Sequence, residues 1–98
     1  MGKKARERPG RLAEKLMQIR RTLGDSQNEL IRRMGLQAKT TQADISEYER
    51  GEREPPLPVL LGYARAANVY VEVLIDDQIN LPEELPARRR SIGNKRES

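Results

Sequence analysis

The chain has 98 residues, 36% of them hydrophobic, a formal net charge of +4, and no histidine or cysteine. That length supports one domain with a modest core, which must be aliphatic because Tyr48, Tyr63 and Tyr70 are the only aromatic residues. Disulfide, thiolate and imidazole chemistry are excluded, and no Gly-rich phosphate loop or paired-acid motif replaces them, so neither an enzyme nor a metal or cofactor site is expected.

The positive charge lies at the ends. Lys3, Lys4, Arg6, Arg8 and Arg11 face one acid, Glu7, and residues 1–10 read as a basic flexible arm. No apolar run reaches the roughly 18 residues of a membrane span, and the arm lacks the apolar stretch of a signal peptide, so a cytoplasmic protein with no membrane partner is expected. Pro9-Gly10 separates the arm from a helical pattern over 11–23, in which Leu12, Leu16, Ile19 and Leu23 recur at helical spacing with Lys15, Arg20 and Arg21 between them. Gly24 ends it.

Ser26 and Glu29 have the capping-box spacing, in which hydroxyl and carboxylate each satisfy an orphan amide at a helix start. They open a second helix over 27–34, with Leu30, Ile31 and Met34 inward, and Gly35 is placed to end it in a left-handed conformation. Residues 36–41 form a longer link than a tight turn needs. Thr41 and Asp44 repeat the capping box and open a third helix over 42–50, with Ala43, Ile45 and Tyr48 expected to be buried and Gly51 closing it. Two capped helices of this size are the smallest unit that holds one helix in the DNA major groove.

Pro55 and Pro56 exclude further helix, and Pro58 fits the first turn of a fourth helix over 57–67, with Leu57, Leu60, Leu61 and Ala64 inward. Asn68 ends it. Residues 69–76 are ambiguous: alternating Val69, Val71, Val73 and Ile75 favour a strand, whereas Val71, Leu74 and Ile75 fit a short helix. Pro82 and Pro86 mark an extended acidic segment over 78–87. Residues 88–98 carry Arg88, Arg89, Arg90, Lys95 and Arg96 against Glu97 and read as a second basic flexible tail.

The sequence resembles the helix-turn-helix domain of the lambdoid phage repressor and Cro type. The matching residues are Ile19-Arg20, Gly24, Ser26-Gln27, Glu29-Leu30, Gly35, Ile45-Ser46, Tyr48-Glu49-Arg50-Gly51, Arg53, Pro55, Leu57, Leu60-Leu61 and Ala64, covering about residues 19–67 in order. The resemblance implies an all-α fold, a compact five-helix bundle over 11–77 in which 70–76 is a short fifth helix rather than a strand. It also implies a prokaryotic or phage protein associated with the nucleoid.

By the same resemblance, Gln27 bonds a phosphate beside a helix amino terminus, where free amides and the positive dipole end favour an anion. Thr40, Thr41, Gln42, Ala43, Ser46 and Glu47 fall at the recognition helix or its entry, and Arg50 and Arg53 are placed for phosphates. Lys39, in the link, offers another phosphate contact. Arg20 and Glu49 match a pair that bridges helices one and three. A glutamine such as Gln42 can make a bidentate contact to adenine, giving about 1–3 kcal/mol of discrimination. Solvated first-turn glutamines and loop arginines are the plainer alternatives for Gln27, Gln42, Arg50 and Arg53.

Three features depart from the family pattern. The link before helix three is about four residues longer than usual, Asp25 takes a position that is normally apolar, and Asp44 and Glu47 bring carboxylates to the reading face. The last predicts weak DNA binding by the folded core without its basic arms, although Glu47 could accept a hydrogen bond from cytosine. The expectation is a sequence-specific regulator of transcription binding double-stranded DNA, a repressor acting as a homodimer through residues 69–86. The alternative is an interaction module, an antitoxin-like partner of another protein.

Overall fold

The computed structural model describes residues 8–86, which fold as five helices without a strand: α1 (Leu12–Leu23), α2 (Gln27–Met34), α3 (Gln42–Glu49), α4 (Leu57–Ala67) and α5 (Val71–Ile75). None of these helices is long and apolar enough to cross a membrane. The basic residues before Arg8 and after Pro86 lie outside the described residues.

Local chemistry sets the helix ends. The Oγ of Ser26 accepts from the Glu29 amide at 3.0 Å while the Ser26 amide donates to Glu29 Oε1 at 2.8 Å. Thr41 and Asp44 make the same reciprocal pair at 3.0 and 3.2 Å, so both capping boxes form. At its carboxyl end α3 is followed by Gly51 at φ 76°, which lets the Glu52 amide return to the Glu47 carbonyl. Asn68, at φ 62°, does the same for α4 through Val69 and Ala64, a conformation that a short polar side chain tolerates.

The amphipathic stripes meet in one core. Leu12, Leu16, Ile19 and Leu23 of α1 pack with Leu30 and Ile31 of α2, Ile45 and Tyr48 of α3, five residues of α4 (Val59, Leu60, Tyr63, Ala64 and Ala67) and Leu74 of α5. In this arrangement α1 touches α3, α4 and α5, whereas α2 rests on α3 and α4. Residues 71–75 are helical despite their β-branched content, because Leu74 is fully buried against that core and tertiary packing overrides propensity. Leu81 and Leu85 then pack, half-buried, on its outside.

Some inward expectations are corrected. Ala43 is exposed, since it lies two residues from Ile45 and a helix turns about 200° over that step. Leu57 is 78% exposed in the first turn of α4, and Leu61 is also exposed, because the inner stripe centres on Leu60, Tyr63, Ala64 and Ala67. Lys15 points the other way. It is only 1% exposed, and its Nζ donates to the carbonyls of Val73 at 2.8 Å, Asp76 at 3.0 Å and Ile79 at 2.6 Å. Burial pushes its ammonium below the ordinary value of 10.5, aided by Arg11 and opposed by Asp77, Asp76 and Glu14. The stripe 12, 15, 16, 19 and 23 carried this signal, with a lysine standing where a leucine would.

A second long-range tie holds the same segment. The side chain of Asp77 accepts from the amides of Gly10 at 2.7 Å and Arg11 at 3.0 Å, so it caps α1 from 66 residues away. Those two amides hold its carboxyl below its ordinary range. Asp77, the residue just before the acidic 78–87 segment, is thus engaged within the fold.

Candidate nucleic-acid interface

The segment α3 stands against the bundle through Ile45, Tyr48 and Glu49 and turns its other side outward. Thr41, Gln42 and Ala43 are exposed at its leading end, and Ser46 and Glu47 follow, half-exposed, one turn on. This outward strip holds five of the six residues assigned by resemblance to base reading. Thr40 is the exception. It is 7% exposed, and its amide closes the turn onto the Leu36 carbonyl at 2.9 Å, so its side chain belongs to the support of the helix.

The buried anchor of α3 is Glu49. Its carboxylate receives a two-pronged contact from Arg20 of α1, with Nε at 2.8 Å and one Nη at 2.9 Å. It also accepts from Gln27 Nε2 of α2 and from the Tyr63 hydroxyl of α4, each at 3.3 Å. One carboxylate therefore joins four helices and fixes the angle of α3. Burial and the neighbouring Glu49 push the Tyr63 phenol far above its ordinary value. Gln27, expected at a phosphate, occupies the first turn of α2 and directs its amide nitrogen to Glu49, which leaves that nitrogen's second hydrogen.

Sequence reasoning missed two further contacts. Asn28 Nδ2 lies 3.4 Å from Gln42 Oε1, so α2 contributes a neighbour to the reading strip. Asp25, the acid at an apolar position, is buried against Arg33, whose Nε and one Nη reach it at 2.6 and 3.0 Å. The eight-residue separation, one helix turn beyond the usual i,i+4 pair, hid it.

The cations near α3 are mostly engaged. Arg50 forks onto Glu52 at 2.8 and 2.9 Å and also reaches the Ser46 hydroxyl. Arg53 donates from Nε to Glu47 at 2.8 Å and from one Nη to Asp44 at 2.6 Å, with its guanidinium 5.0 Å from the centre of the Tyr48 ring. The carboxylates expected to repel phosphate thus share an arginine. The Thr41 amide is the first cause, and Arg53 a further one, of the lowered pKa of Asp44. Lys39 is exposed in the link, with no side-chain partner among the described residues.

Two helices joined by a turn, the second with an outward end, have the form of a helix-turn-helix, and a family model of that description (HTH_3) matches residues 16–74. The chain belongs to the Cro/C1-type helix-turn-helix family. It is accordingly a DNA-binding regulator in general terms, with double-stranded DNA as its partner. A comparison with curated proteins gives no match. Within the family frame α2 and α3 are the paired helices. The seven residues from Gly35 to Thr41 between them are shortened in effect by a turn, in which the Lys39 and Thr40 amides both donate to the Leu36 carbonyl.

Proposed function

We propose that this helix-turn-helix protein reads specific DNA sequence as a homodimeric repressor of transcription. The observation that carries the reading is the outward strip of Thr41, Gln42, Ala43 and Ser46, on a helix whose other face is locked by Glu49. In this reading Gln42 makes the discriminating base contact, with Asn28 holding its amide, and Glu47 faces the same groove. Gln27, Lys39 and Arg50 contact phosphates, which position the protein without reading sequence.

Self-association through residues 69–86 has its support in exposed apolar side chains. Tyr70 is 83% exposed, and Ile75 lines one groove together with Leu57 and Leu60. Two-fold symmetry would place two recognition helices about 34 Å apart, one helical turn of DNA. A protein partner would use the same apolar surface, and sedimentation of the purified chain separates the two: a dimer on its own favours self-association.

Selection of bound duplexes from a randomised library tests the reading. The expected result is a two-fold symmetric motif, with Gln42→Ala losing about 1–3 kcal/mol of preference at one base pair per half-site. Enrichment of no motif would contradict sequence-specific reading.

A further inference from the structure

The reading face carries a charge problem that the bundle solves locally. Asp44 lies on α3 beside the strip that meets DNA and Glu47 lies within it, and each would repel the phosphates flanking a groove. Arg53 bridges them, with two of its three nitrogens committed, one to each carboxylate, and its plane laid over Tyr48. One arginine against two acids leaves the group at −1, and without Arg53 the same surface would carry −2. No other arginine or lysine forms an ion pair with Asp44 or Glu47 among the described residues. Arg50 is forked onto Glu52, Glu49 is held by Arg20, and Lys39 is the remaining base of the 39–53 segment.

We propose that Arg53 is a positioning residue for DNA recognition, an internal counter-ion that lets α3 approach phosphate with two carboxylates on its flank. It offsets the charge of Asp44 and Glu47 where they stand and does not itself supply a phosphate contact. The inference rests on the DNA-reading role of α3 proposed above. Arg53 sits in an exposed loop, and surface pairs of this kind add little to stability, so its removal leaves the fold intact.

The test is a double-mutant comparison with the full chain and a random-sequence duplex of about 30 base pairs, followed by anisotropy at several salt concentrations. The expected result is that Arg53→Gln weakens binding about tenfold in the wild-type background and less than twofold beside Asp44→Asn and Glu47→Gln together. In the second background the slope of log affinity against log salt stays unchanged. Equal losses in both backgrounds, with the slope falling by about 0.9 each time, would make Arg53 a phosphate ligand and overturn the inference alone. Failure of the wild-type chain to bind any duplex would overturn the DNA-reading role itself. Thermal melts of the four chains complete the comparison, and collapse of Arg53→Gln below the assay temperature would make Arg53 a holder of the fold and also overturn the inference.

Discussion

Glu49 is the residue on which the recognition helix turns. Its carboxylate is buried, and its partners come from α1, α2 and α4, so truncation leaves Arg20, the Gln27 amide and the Tyr63 hydroxyl without their shared acceptor. Glu49→Ala should therefore cost about 3–5 kcal/mol in urea unfolding, most of it the penalty of part-buried donors left without that acceptor, although Arg20 keeps its bond to the Asp25 carbonyl. Tyr63 contributes to the alkaline limb of stability, in the same direction as Tyr48, whose phenol pKa burial also raises. The folded-state pKa of Tyr63 lies above its ordinary value of 10.0, so the folded protein keeps a proton that the unfolded chain releases. Stability is full below pH 10 and falls as pH rises beyond it, and Tyr63→Phe should flatten that limb of the unfolding profile. At this scale the sequence was partly readable. Arg20 and Glu49 were visible by resemblance, as was the exposed Gln42, but the second and third partners of Glu49, Gln27 and Tyr63, were not. Contacts made across 14 and 22 residues leave no periodic trace. Lys15 was misplaced because a charged side chain is ordinarily solvated, and only the carbonyls of Val73, Asp76 and Ile79 make its burial tolerable.

Among elements, the caps were the most legible and the fifth helix the least. Ser26/Glu29 and Thr41/Asp44 fix the starts of α2 and α3 through contacts within four residues, which is why spacing alone located them. Thr41→Ala should lower stability by about 1 kcal/mol. The same change should also fray the end of α3 that carries Gln42, seen as faster amide exchange at Asp44 and Ile45. The helix α5 depends on partners far away in the chain. Its carbonyls are gathered by Lys15, and the following Asp77 caps α1, so strand propensity lost to packing that local sequence does not encode. Lys15→Met removes the three donated bonds while keeping the volume. Hydrogen exchange should then show lost protection at Leu74 to Ile79, with α1 to α4 unchanged; uniform loss across the bundle would show that α5 is not held separately.

For the molecule as a whole, the described bundle divides its labour between faces. The strip on α3 is outward, the Leu57–Ile75 groove joins apolar side chains to a charged rim of Arg8, Arg53, Glu54 and Asp77, and the core between them is set by α1 and α4. The placement of Asp44 and Glu47 on the third helix predicts that acids weaken the reading face. Within the fold Arg53, Arg50 and Arg20 each meet acids, which lessens the negative charge there without cancelling the −1 left on Asp44, Glu47 and Arg53. The measurement that tests the role of α3 most directly is an amide NMR titration of the full chain with a DNA duplex. The expected result is that shifts concentrate at Thr41, Gln42, Ala43, Ser46 and the first turn of α2. Shifts confined to Leu57, Tyr70 and Ile75, with the α3 strip unmoved, would contradict it.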